Sequence, residues 1–182
     1  MKILAIMASP HPKGHCAQLL EAFMRGAGDC ESRILYPYEM KTAPCVDCGY
    51  CREHDGLCRI NDDMARVYEL AYWADVIVIA SPVYYNSVPA PMKTLMDRCM
   101  CLYNRLFIHK SACAKTKKGV LILTAGNSSR GDLTAVRKQL KMLFDEFRAD
   151  IVCEAYANHL DDGDGDFSEA VKGAEEMGTW LR

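Results

Sequence analysis

The chain has 182 residues, half of them apolar and a quarter charged, enough to bury a sizeable core without a disulfide or metal staple. A formal net charge of −2, with no sustained Lys/Arg stripe, gives no electrostatic reason to expect nucleic acid or an anionic membrane as partner. No stretch approaches the roughly 20 apolar residues of a membrane span.

In chain order, the opening MKILAIMASPHPKG has an apolar run too short for a signal sequence and no small-residue cleavage site. A cytoplasmic protein is therefore expected, with its ten cysteines reduced, metal-bound or catalytic rather than paired. KILAIMA (2–8) reads as a strand buried on both faces. From Cys16 to Ala27, Leu19, Leu20, Phe23, Met24 and Ala27 recur at helical spacing. ESRILYPY (31–38) is a shorter strand, followed by a cysteine-rich loop at about 41–60. Asn61 or Asp62 caps a helix that buries Met64, Val67, Tyr68 and Ala71. DVIVIAS (75–81) is the next apolar strand. Pro89 and Pro91 open a helix carrying Met92, Leu95, Met96, Cys99, Met100 and Tyr103 on one side. GVLILTAG (119–126) is a third fully apolar strand. A helix through Leu133, Val136, Leu140, Leu143, Phe144 and Phe147 follows, then the strand DIVCEAYA (151–158) and a last helix from Phe167 to Leu181.

Five strands alternating with five helices predict one α/β domain over residues 1–182, a three-layer sandwich around a parallel sheet. For this count the commonest right-handed arrangement is the flavodoxin-like order 2-1-3-4-5, with its ligand crevice beyond the carboxyl ends of the strands. The loops that matter are then those after Ala8, Ala80 and Thr124.

The first, SPHPKGHCAQLL, leads Ser9, Gly14, His15 and Cys16 into a helix whose free N–H groups can hold a phosphate, with Lys13 nearby. It has neither Walker nor Gly-x-Gly-x-x-Gly spacing, and any strand-to-helix turn needs similar residues. The second, SPVYYNSVPAPMK, offers Tyr84, Tyr85, Asn86 and Ser87 to a flat aromatic ligand, although the tyrosines could equally cover the sheet end. The third, TAGNSSRGD, has small residues that allow close backbone approach.

The densest chemistry is CVDCGYCREHDGLC, with spacing Cys45-x2-Cys48-x2-Cys51-x6-Cys58. Two successive x2 gaps converge three thiolates, and the longer gap returns a fourth, so that iron–sulfur and zinc are both permitted. His54 is a fifth candidate ligand inside the loop. Of the remaining cysteines, Cys30, Cys99, Cys101, Cys113 and Cys153 read as small hydrophobes. At Cys16 a helix N-terminus is expected to lower the thiol pKa. DDGDGDFSE (161–169) lacks the glycine and final ligand of a calcium loop and reads as a surface turn.

Taken together, SPHPKGHCAQLL, SPVYYNSVPAPMKTLMDR and LTAGNSSRG, each after the right strand, resemble the three flavin loops of the NAD(P)H-dependent FMN reductase families. The four cysteines followed by NDDM resemble the iron–sulfur flavoprotein branch of that group, and the resemblance covers nearly the whole chain. It implies that Ser9, His11, Gly14, His15 and Cys16 surround the FMN phosphate, and that Pro82, Val83, Tyr84, Tyr85 and Asn86 line the isoalloxazine and ribityl chain. Thr124, Gly126 and Asn127 would meet the pyrimidine end of the ring. Such relatives usually carry Ser-Pro-Arg and then Asn-Thr or Asn-Ser. Here His11, His15 and Cys16 stand in those places, leaving fewer strong anion donors and implying weaker FMN binding, or binding that rises when a histidine is protonated.

The resemblance further implies a [4Fe-4S] cluster on Cys45, Cys48, Cys51 and Cys58, with zinc as the alternative, and a homodimer or dimer of dimers. The expected activity is transfer of electrons from NAD(P)H through FMN to a small acceptor such as a quinone or nitro compound, or through the cluster. No side chain is expected to act as a catalytic acid or base, because the cofactor carries the redox chemistry. The competing reading is a flavodoxin-fold electron carrier or binding module with a structural zinc in the cysteine loop.

Overall fold

The computed structural model describes residues 1–111, 116–126, 133–160 and 167–182. Its strands are β1 (Lys2–Met7), β2 (Glu31–Leu35), β3 (Val76–Pro82), β4 (Lys117–Thr124) and β5 (Ala149–Ala157). They form one parallel sheet in the order β2-β1-β3-β4-β5, the flavodoxin-like arrangement expected from the sequence.

Period-two alternation along the apolar strands divides the core. Ile3, Ala5 and Met7 join Val76, Val78, Val120 and Ile122 on one face, under α1 (His15–Ala27) and α7 (Phe167–Trp180). Leu4 and Ile6 join Ile77, Ile79, Leu121 and Leu123 on the other. That face is covered by α3 (Met64–Trp73), α4 (Ala90–Arg98), α5 (Met100–Tyr103) and α6 (Leu133–Glu146). The remaining helix, α2 (Tyr50–Glu53), is a single turn inside the cysteine loop.

Two elements depart from the sequence pattern. The second strand ends at Leu35 rather than Tyr38, because the chain turns at Pro37 and the Glu39 N–H bonds back to the Tyr36 carbonyl at 2.9 Å. The helix expected from Pro89 to Tyr103 is interrupted: α4 stops at Arg98, and α5 runs on into a π-helical turn over Asn104–Ile108. The wide turn closes with the His109 N–H on the Asn104 carbonyl, five residues back, at 2.9 Å.

Helices α1 and α7 touch backbone to backbone through Gly26 and Gly178. A Cβ on Gly178 would stand 2.1 Å from the Phe23 carbonyl oxygen, and one on Gly26 only 1.9 Å from that of Glu175. Neither neighbour is a flexible side-chain end, so the helices would have to part. Gly178→Ala is expected to lower stability by about 1–3 kcal/mol, read as a fall in the urea midpoint, with the secondary-structure content retained.

Candidate functional site

Two groups of residues stand out: the loops at the carboxyl ends of the central strands, and the pocket built by the cysteine loop on α4 and α5. In the first, the chain leaves β1 through Ser9, whose hydroxyl accepts the His11 N–H at 3.2 Å, and reaches α1 at Gly14. No side chain caps α1, so its first amides, at His15, Cys16 and Ala17, face the loop without a side-chain acceptor. The His15 ring meets Phe167 edge-on, with centroids 4.6 Å apart. Cys16 is buried and its Sγ lies 2.9 Å from Thr124 Oγ1. Burial pushes this thiol up to about 11, only partly opposed by the Thr124 hydrogen bond. The expected lowering by the helix N-terminus is thus reversed, because desolvation of the thiolate outweighs the helix field.

After β3, Pro82 and Val83 are half-buried, and Val83 donates its N–H to the Thr124 carbonyl at 2.8 Å. Tyr84 and Ser87 exchange both backbone hydrogen bonds at 2.9 Å around a two-residue turn. Tyr85 and Asn86 occupy that turn with φ of 50° and 59°. Asparagine tolerates this region, whereas a tyrosine there stores strain. Its ring is fully exposed. Gly126 bends the chain after β4 and is half-buried, while Asn127 lies outside the described residues. A further ring, Tyr38, stands beside Tyr84: burial and the neighbouring Tyr84 both push its phenol above the usual value. Sequence periodicity assigns Tyr38 to the end of a strand, and nothing in its spacing points to Tyr84.

In the second group, Cys45, Cys48, Cys51 and Cys58 all line one pocket, with Arg98, Cys101 and Asn104 forming its inner wall. Cys45 and Cys48 are exposed, Cys51 and Cys58 half-buried. Among the described residues no three His, Cys, Asp or Glu side chains approach closely enough to hold a metal ion. The pocket therefore gathers the thiols without closing them into a coordination sphere. The two inner thiols accept hydrogen bonds, Cys51 Sγ from Asn104 Nδ2 at 3.1 Å and Cys58 Sγ from Arg98 Nη2 at 3.3 Å. Donors aimed at sulfur suit a thiolate-held centre, whose negative charge they offset. His54 is turned elsewhere: it stacks on Tyr50 at 3.7 Å, with Nδ1 3.0 Å from the Tyr50 carbonyl oxygen.

The loop is fixed to the core by Arg98, 2% exposed. Its guanidinium meets both oxygens of Asp62, Nη1 to Oδ2 at 2.7 Å and Nη2 to Oδ1 at 3.1 Å, and also donates to the Ala43 carbonyl at 2.8 Å. Asp62 in turn accepts the N–H groups of Ala43 and Met64 at 2.9 and 3.1 Å. Burial works to raise the Asp62 pKa. Arg98 and the two amides outweigh it and hold the carboxyl below its usual range. On the far side of the loop, Arg105 Nε donates to the Asp55 carbonyl at 3.1 Å, and Ser111 bonds the Asp55 side chain. Gly56, with φ of 72°, presses against the same helix: a Cβ there would lie 2.5 Å from the Cys101 carbonyl oxygen.

Cys101, spaced in the sequence like a small core hydrophobe, lines the same pocket as Cys51 and Cys58. Burial pushes it up to about 12, with Cys58 and Cys51 adding to the effect. A cysteine spaced like a buried helix residue gives no signal for this second role.

Against known families, the NADPH-dependent FMN reductase family matches residues 1–160. The chain belongs to this family. It thereby falls among the NAD(P)H-dependent flavin oxidoreductases. It is similar to an iron–sulfur flavoprotein of Methanosarcina thermophila, 34% identical over 133 residues, which span 72% of this chain and 66% of that protein. Among solved structures, NAD(P)H:quinone oxidoreductase from Methanothermobacter marburgensis superposes with a TM-score of 0.75 at 20% identity, covering 100% of this chain and 99% of that one. An FMN-dependent NADH-azoreductase from Bacillus anthracis, in complex with FMN, gives 0.74 at 16% identity, covering 99% and 98%. At these identities the two structures establish the shared fold.

The Arg98–Asp62 pair makes a pH prediction. A carboxyl whose folded pKa lies below its unfolded value contributes stability above the unfolded value of about 4, and that contribution disappears as pH falls through the folded pKa. Wild type should therefore lose stability below about pH 4 more steeply than Asp62→Asn. At pH 7 the variant should be less stable by about 3–5 kcal/mol, since Arg98 is left buried without its counter-charge. Urea unfolding at pH 7 and pH 3 measures both.

Proposed function

We propose that the chain is an FMN-dependent oxidoreductase that takes electrons from NAD(P)H and delivers them to a small acceptor, quinone-like or nitro, or through a [4Fe-4S] cluster on Cys45, Cys48, Cys51 and Cys58. The observation that carries this reading is the course of α4. It begins just beyond the Tyr84–Ser87 turn and ends at Arg98 under the cysteine pocket, so one rigid helix, roughly 13 Å long, joins the two groups.

The residues fit FMN. The uncapped amides of α1 and the Ser9 hydroxyl offer donors to a phosphate, and Gly14 starts the helix without a side chain in the way. Pro82 and Val83 would floor the isoalloxazine, with Tyr84, Tyr85 and Asn86 at its rim. Thr124, Gly126 and Asn127 would meet its pyrimidine end. His11 and His15 stand where donors to the phosphate are required. When bound, the flavin accepts an electron pair from nicotinamide and can release it one electron at a time. The protein's part is to bind, orient and exclude water.

The cysteine loop fits an iron–sulfur group as a donor set: four thiols on one pocket, two with N–H donors, and His54 held outside. The Methanosarcina relative's name supports this choice over zinc. A structural zinc in a module without reductase activity is the second reading, favoured by the replacement of strong anion donors by His11, His15 and Cys16. No helix among the described residues is long and apolar enough to cross a membrane. The nine described cysteines are all free thiols, in keeping with a cytoplasmic protein. The assembly proposed is a homodimer or dimer of dimers.

Protein purified without oxygen should show paired flavin bands over a broad iron–sulfur shoulder, both bleaching with NADPH. Cys45→Ser should lose the shoulder and keep the flavin. Colourless protein that takes up no FMN would overturn the reading, and tightly bound zinc in the same preparation would establish the second one. His11→Arg should tighten FMN binding by roughly tenfold, as one added charge-assisted hydrogen bond would, measured by quenching of flavin fluorescence.

A further inference from the structure

We propose that Asn104 is a positioning residue that sets the reduction potential of the iron–sulfur centre, through the hydrogen bond from its side-chain amide to Cys51 Sγ. This rests on the cluster reading given above. Asn104 is 4% exposed, so its amide needs partners inside the protein. Its Nδ2 points at sulfur, 3.1 Å away. It is also the first residue of the π-helical turn, an irregularity that recurs at functional sites in helices.

The turn and the cysteine loop hold each other in place. Arg105, the next residue, donates to the Asp55 carbonyl at 3.1 Å and forms an ion pair with the Asp55 carboxylate at 3.8 Å. Ser111 bonds the same side chain, and Gly56 leaves no room between the loop and Arg105. Asn104 is thus held against Cys51. An N–H donor offsets negative charge on a ligating sulfur. The reduced centre carries one more negative charge than the oxidised one, so the donor favours it and raises the potential. Arg98 makes a comparable bond to Cys58 at 3.3 Å, but it also anchors Asp62, Ala43 and Ile60, and its removal would disturb the whole loop. Asn104 separates the electronic effect from the anchoring one.

The test is a potentiometric titration of protein reconstituted without oxygen with iron and sulfide, following the centre by electron paramagnetic resonance and the flavin by absorption. Asn104→Leu, similar in size but without a donor, should shift the one-electron equilibrium about tenfold toward the oxidised form, a fall of 59 mV. The flavin potential should not move, and Asn104→Gln, which keeps an amide, should recover part of the shift. Asn104→Ser, too short to reach Cys51, replaces the leucine variant if that one does not fold. A donor-free variant with full cluster content and an unmoved midpoint overturns the proposal. So does loss of the cluster from both the donor-free and glutamine variants with fold and FMN intact, which would make Asn104 a packing residue. Wild type that takes up no iron and sulfide refutes the cluster reading itself, and the inference with it.

Discussion

A buried guanidinium holds the cysteine half of this molecule together. Arg98 reaches out of α4 to Asp62, to the carbonyls of Ala43 and Ile60, and to the sulfur of Cys58, and so ties the start of α3 and both limbs of the cysteine loop to one point. Burying such a pair returns little net stability, since desolvation consumes most of the attraction. Its importance lies in specificity. The loop exposes its apolar residues Val46 and Leu57, and is held by the polar contacts of Arg98 and Asp62.

The loops at the strand ends are built differently. They leave strands β1, β3 and β4, which are buried on both faces, and one of them carries the turn at Tyr85 and Asn86. That turn places two consecutive non-glycine residues at positive φ and leaves a large aromatic ring in water. Backbone strain of this kind clusters at functional sites. Helix α4 lies between the two constructions, starting just after the Tyr84–Ser87 turn and ending at Arg98.

The flavodoxin-like plan was legible because its signal is local and repeated. Runs such as KILAIMA and DVIVIAS can be buried on two faces only in a covered parallel sheet, and the helix stripes between them supply the cover. The positions of the three loops at the strand ends followed from the topology alone. Tyr38 was hidden because the chain turns at Pro37 and ends β2 early, a consequence of a turn and not of periodicity. Cys101 and Asn104 were hidden for another reason. They lie on a helix whose spacing is that of core residues, and only the π-helical turn and the docking of a loop more than 40 residues earlier give them partners.

The sequence by itself determined the sheet order, the loops at the carboxyl ends of the strands and the identity of the four thiols, because these depend on residue type and short-range spacing. The tertiary structure alone decided which thiols are inward and which are exposed, and that His54 turns away. It also decided that Cys16 is a buried partner of Thr124 rather than an activated thiol, and that Arg98 and Asn104 supply the donors to sulfur. Burial and hydrogen-bond partnership are properties of segments distant in sequence brought together. They set charge, pKa and orientation through the surroundings of a side chain, which no local pattern encodes.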